Sequence, residues 1–393
     1  MKQGKDHGMH SLDTGRGSLS IASRRILLAT RETAGTVRVE DGVIVAVDEE
    51  RIDARAVDIG DDLLIPGLVE LHTDHLESHL KPRPAVHWHA ASAIQAYDAQ
   101  IAASGITTVF DSLRVGGGPE EDLTAQVIEL ARLMRDAQVR GLLRVDHHTH
   151  LRCEVAAADV IEGLCAMLAE ARVDMISLMD HTPGARQFRD VETWKRYFSG
   201  KSGRSEEEIL LLIDERRALY DANHDRHRRA LVALAHDRGI AIASHDDTTK
   251  AHVAESIADG VAIAEFPTTE AAARASHEGG LAVLMGAPNV VRGGSHSGNV
   301  SAVELAEAGL LDILSSDYVP ISLVMGAFGL ADVPGVGGLP GAIRLVTKNP
   351  AEATGLTDRG EIAPSKRADM VRITLVEGQP VVREVWRLGS RVA

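Results

Sequence analysis

The chain has 393 residues, 44% hydrophobic and 25% charged, as expected of a globular protein able to bury a large core. A net charge of −15 argues against nucleic acid or an anionic membrane as the main partner. It does not exclude an anionic substrate, because a metal and a few arginines can set the local field. Residues 1–20 lack a hydrophobic stretch of signal-peptide type and read as a flexible N-terminal extension. From about Ser20 to Ile65 short apolar runs alternate with turn signals, and Asp41-Gly42 suits a hairpin. From residue 66 apolar runs ending in polar residues alternate with helix-length amphipathic stretches. The runs are LIPGLVELHTD, ITTVFDSL, GLLRVDHHTHLRCE, VDMISLMDH, GIAIASHDD, GVAIAEFPTT, GLAVLMGAPN and LLDILSSDY. Among the helices between them, Glu121–Gln138 places Leu123, Val127, Leu130, Ala131 and Met134 on one face, and Ser205–Glu208 forms a capping box. The charged segment 189–238 is expected to be an excursion over the barrel mouth. Residues 359–393 return to strand patterning around Glu377-Gly378.

These elements predict an α/β fold: a (β/α)8 TIM-type barrel over 66–358, with a small β-sandwich domain formed by 21–65 plus 359–393. Periodicity cannot prove closure, so a doubly wound sheet is the alternative. No apolar run approaches the ~18–20 residues that cross a bilayer. The two cysteines, Cys153 and Cys165, form no disulfide framework, so a cytoplasmic location is expected. A homodimer is expected on base rates alone.

Metal-ligand residue types gather where strands end. In His72-Thr73-Asp74 the imidazole and carboxylate share a strand face and can converge on one ion. His148, His150, Arg152 and Glu154 lie at even spacing on the third run. Asp180-His181 ends the fourth, His245-Asp246-Asp247 the fifth and Asp317 the eighth. A barrel would bring these tips to one mouth, and polar strand ends in general would not concentrate His and carboxylate in this way.

HTDHLESHLKPRP, HLRCE, SLMDHTPGARQF, ASHDD, AEFPTT, LMGAPNVVRGGSHSGN and ILSSDYVP together resemble the amidohydrolase superfamily, and within it the α-D-ribose 1-methylphosphonate 5-triphosphate diphosphatase family of phosphonate degradation. The usual superfamily opening is His-x-His, and Asp74 stands here at the second histidine. The resemblance implies hydrolysis of a ribose 5-triphosphate to the 5-phosphate plus pyrophosphate, with two divalent metal ions, zinc or manganese. By resemblance His72 and Asp74 hold one ion, Glu154 bridges, His181 and His245 hold the second, and Asp317 binds metal and acts as general base. Asp180 is an equally good ligand chemically to His181. His150, Arg152, Arg186, Arg292 and His296 are the candidate substrate-binding residues, because guanidinium groups suit phosphate oxygens. The alternative is an amidohydrolase that cleaves a C–N bond, such as a deacetylase or cyclic amidase. The basic, Gly-rich VVRGGSHSGN segment favours the phosphate reading, and the surviving ligand set argues against a non-catalytic scaffold.

Overall fold

The structure, a computed structural model, describes residues 17–117, 123–186, 191–192, 194–195, 205–295 and 298–393. The chain opens with β1 (Ser18–Leu27), β2 (Glu32–Glu40), β3 (Val43–Glu49), β4 (Val57–Asp58) and β5 (Leu63–Pro66). Strand thus begins at Ser18, inside the expected extension, and residues 1–16 lie outside the described residues. The β2–β3 hairpin turns at Asp41-Gly42, both at positive φ, the geometry that matches the right-handed strand twist.

The barrel follows: β6 (Leu68–Thr73), β7 (Ile106–Val115), β8 (Asp146–Glu154), β9 (Met175–Met179), β10 (Ala241–His245), β11 (Ile263–Glu265), β12 (Ala282–Gly286) and β13 (Ile313–Ser315). These strands pair in parallel in sequence order. The last meets the first through a bridge between Thr73 and Asp317, where Thr73 Oγ1 donates to Asp317 O at 2.7 Å. Buried Glu70 adds a clamp, accepting from Ser315 Oγ at 2.7 Å and from the His72 N–H at 2.6 Å. A doubly wound sheet would leave these edges apart.

The chain ends with β14 (Met370–Val376), β15 (Gln379–Arg387) and β16 (Ser390–Arg391), and β14 pairs with β5. Strands from both chain ends therefore share one sheet, of order β16-β15-β14-β5-β1-β2-β3. It folds over on itself, so Trp386 of β15 packs in one core with Ile21, Val37, Val39 and Ile44, giving the small sandwich. Gly67 joins this sheet to the barrel where any Cβ would meet Thr107 Oγ1 at 2.3 Å, so only glycine passes.

Alternation along the strands decides what fills the barrel. Val69, Leu71, Phe110, Met175, Ala243, Ile263, Leu284 and Ile313 form an apolar plug low in its interior. Two residues further along, Ala243 gives way to His245 and Ile263 to Glu265, so the next layer is polar. Outside, helix Leu123–Val139 buries Val127, Ala131 and Met134 at i, i+4 and i+7. Helix Glu206–Arg238 starts at the expected Ser205–Glu208 capping box, and its second half packs on the barrel through Leu231 and Ala235. Among the described residues no helix is long and apolar enough to cross a membrane.

Candidate active site

Above the apolar plug, His72 Nδ1 lies 2.9 Å from Glu265 Oε1, and His245 Nδ1 lies 3.2 Å from Glu265 Oε2. The two imidazoles stack at 5.4 Å, and the Phe266 ring stands edge-on to both. Despite their separation, His72 Nδ1 and Glu265 Oε1 are not aligned as donor and acceptor, and each lacks a hydrogen-bond partner. Two lone-pair atoms held this way converge on a common point. Burial lowers His72 well below the ordinary imidazole range, and burial lowers His245 to about 3, so both rings are neutral, the metal-ligating form.

A second group joins His245 to His181 and Asp246, with all ligand atoms within 4.8 Å of one another. Asp246 sits at the tip of β10 in left-handed backbone, φ 57°, a conformation that Asp tolerates better than most residues. Burial pushes its carboxyl up to about 7. His181 is held by Glu154, its Nδ1 2.7 Å from Glu154 Oε2 while its N–H donates to Oε1 at 3.0 Å. Burial alone would raise the Glu154 carboxyl, but the neighbouring His181 and Arg114 outweigh it and hold it at about 2. Mixed imidazole and carboxylate donors, converging and largely buried, fit a divalent cation such as zinc.

The two groups open into a cavity of about 470 Å³ at the strand tips, whose walls include Asp74, Arg152, Arg292 and Asp317. Asp317 also occupies left-handed backbone, φ 53°. Burial, followed by repulsion from Asp74, pushes its carboxyl up to about 7. Asp74 lies 3.4 Å from Arg152 Nη1 and belongs to neither convergent group.

Of the residues singled out from sequence, His72, Asp74, Arg152, His181, His245, Arg292 and Asp317 line this one cavity. Glu154 stands behind His181. Asp180 accepts the Thr182 N–H at 3.0 Å and so caps its own turn. His150 is fully buried one layer below the pocket, with Nδ1 2.9 Å from Leu71 O and Nε2 against Ser177 Oγ. Both ring nitrogens are engaged, so a substrate contact for His150 is corrected. Arg186 is corrected likewise: it is buried against Asp247, lies 3.3 Å from Glu255, and does not line the cavity. His296 lies outside the described residues. Sequence reasoning missed Glu265, although a lone carboxylate inside the buried strand Ile263–Glu265 was a usable signal. It also missed Arg114 and Arg216, both on the cavity wall.

No family model matches the chain. Over 374 residues it is 44% identical to the alpha-D-ribose 1-methylphosphonate 5-triphosphate diphosphatase of Escherichia coli (strain K12), covering 94% of this chain and 98% of that protein. Among solved structures, N-acetyl-D-glucosamine-6-phosphate deacetylase from Mycobacterium smegmatis superposes with a TM-score of 0.64 at 18% identity, covering 95% of this chain and all of that one (100%). A 5-methylcytosine deaminase from Klebsiella pneumoniae gives a TM-score of 0.65 at 15% identity, covering 95% and 98%. At such identities these two structures speak for the fold alone.

Proposed function

The chain belongs to the α-D-ribose 1-methylphosphonate 5-triphosphate diphosphatase family, and from that membership we propose that it hydrolyses this triphosphate to the 5-phosphate and pyrophosphate. The observation that carries the reading is the identity of 44% across nearly the whole of both chains. The pocket's chemistry agrees with it, since convergent imidazoles and carboxylates sit beside several arginines.

His72, His245 and Glu265 would hold one divalent cation, and His181 with Asp246 a second. Zinc is the preferred ion for this donor set and manganese the alternative. When bound, such a pair lowers the pKa of a nearby water and offsets charge on phosphoryl oxygens. Glu154 pairs with the ligand His181, and Asp74 lines the same cavity beside Arg152; both remain within the proposed ligand set. Asp317 serves as general base. Its carboxylate lines the same cavity as the proposed ligands, and cations that strip its proton leave it in the accepting form. A water oxygen bonds to phosphorus, the P–O–P link to the departing pyrophosphate breaks, and the water's proton passes to Asp317. Arg152 and Arg292 steady the phosphoryl oxygens by charge-assisted hydrogen bonds. Both cysteines are free, which suits a reducing compartment, and we place the enzyme in the cytoplasm.

Phosphorus NMR of metal-loaded protein with the ribose triphosphate tests the reading. Pyrophosphate and the 5-phosphate should appear together. Orthophosphate alone would mean that the terminal phosphoanhydride is cleaved instead, and no phosphate release alongside hydrolysis of an N-acetyl or cyclic amide would replace the reading with C–N bond chemistry.

A further inference from the structure

The cavity wall is chemically divided. On one side Arg114 of β7 and Arg152 of β8 are direct partners in the strand register, two like charges on neighbouring strands. Such neighbours repel unless something negative lies between or beside them. Their nearest acids are only loosely engaged, Glu154 at 3.8 Å from Arg114 and Asp74 at 3.4 Å from Arg152. Both distances exceed those of a charge-assisted hydrogen bond, and each guanidinium carries several N–H donors. Arg216 arrives from the long helix Glu206–Arg238. Its inward face buries Ile209 and Ile213 against Trp194, and Arg216 is the next inward position, at the cavity wall. A chain of net charge −15 thus brings three guanidinium groups to one cavity, where Asp74 and Glu77 are also on the lining.

The opposite side is different. The short helix Ala287–Arg292 and the loop after it present Asn289, Arg292, Ser295 and Asn299. Amide and hydroxyl groups match the hydroxyls of a sugar, with a single cation among them.

We propose that Arg114 and Arg216, together with Arg152, form the subsite for the departing pyrophosphate, while Asn289, Arg292, Ser295 and Asn299 take the ribose and its phosphonate. The inference rests on the triphosphate reading above and adds the direction in which the substrate lies. Dense negative charge faces the three guanidinium groups, so the group that leaves is neutralised where it forms.

Calorimetric titration of the metal-loaded protein with inorganic pyrophosphate, and separately with ribose 5-phosphate, tests the assignment. Arg216→Gln should weaken pyrophosphate about tenfold or more and change ribose 5-phosphate by less than about twofold, and Arg292→Gln should do the reverse. Arg216→Lys keeps the charge and should recover part of the pyrophosphate affinity; unchanged melting of each variant separates binding from folding. Equal losses for both ligands, or no loss of pyrophosphate binding in Arg216→Gln, would overturn the two-walled subsite. Because neither ligand carries a triphosphate to cleave, the measurement reads the walls without turnover. A protein that partitions the ligands as described yet fails to cleave the triphosphate would sink the proposed reaction and leave the subsite standing.

Discussion

Loading the site with cations should release the protons that its buried carboxyls hold. Buried His72 and His245 are already neutral and contribute none, whereas Asp246 and Asp317 both stand near 7 before any cation arrives. At pH 7 each is about half protonated, so together they give up about one proton on loading, rising to about 1.8 at pH 6. The same linkage makes affinity fall about tenfold per participating carboxyl between pH 8 and pH 6. Zinc titration calorimetry in buffers of different ionisation enthalpy counts the protons. The cleanest reading is a difference: Asp317→Asn should release about half a proton fewer than the wild type at pH 7, and about 0.9 fewer at pH 6. Identical proton release in the two proteins would mean that Asp317 does not hold a proton in the metal-free site, and the argument from burial would fail.

Glu265→Gln should lower metal content measured by plasma emission after gel filtration, because it removes a carboxylate against which both His72 and His245 lie; full metal content in that variant would exclude Glu265 as a ligand. Arg186→Ala should cost about 3–5 kcal/mol in denaturant unfolding, the penalty for leaving buried Asp247 unpaired, with KM unchanged; a large rise in KM would return Arg186 to the substrate. His147 lies 2.8 Å from Asp111 and 3.3 Å from Asp98. Burial alone would lower it, but the two carboxylates outweigh burial and raise it to about 9, against an ordinary 6.5. Its contribution, about 3 kcal/mol, should be complete below pH 6.5 and disappear as pH rises through about 9. His147→Gln should remove that pH dependence, and superimposable stability–pH curves for variant and wild type would refute it.

Much of this was legible because side-chain alternation and turn chemistry are local. Asp41-Gly42, the Ser205–Glu208 box and the inward face of Leu123–Val139 all follow from spacing alone. His72, His245 and Asp317 were legible because strand ends in a barrel share one mouth. Depth was not. Even spacing puts His150 on the same face as Arg152, yet one step down the strand separates a sealed layer from the pocket. Register was not legible either: Arg114 beside Arg152, and Glu70 against Ser315, require knowing which strands pair and with what offset. Arg186 lies in a loop without periodicity, where Asp247 and Glu255, 61 and 69 residues further on, decide its direction.

In the proposed site, ligands from distant strands hold two cations side by side at the barrel mouth. Crystals soaked in zinc and measured across its absorption edge test this directly. Anomalous peaks should fall between His72, His245 and Glu265 and beside His181 and Asp246. Peaks confined to surface histidines, with none at these residues, would contradict it.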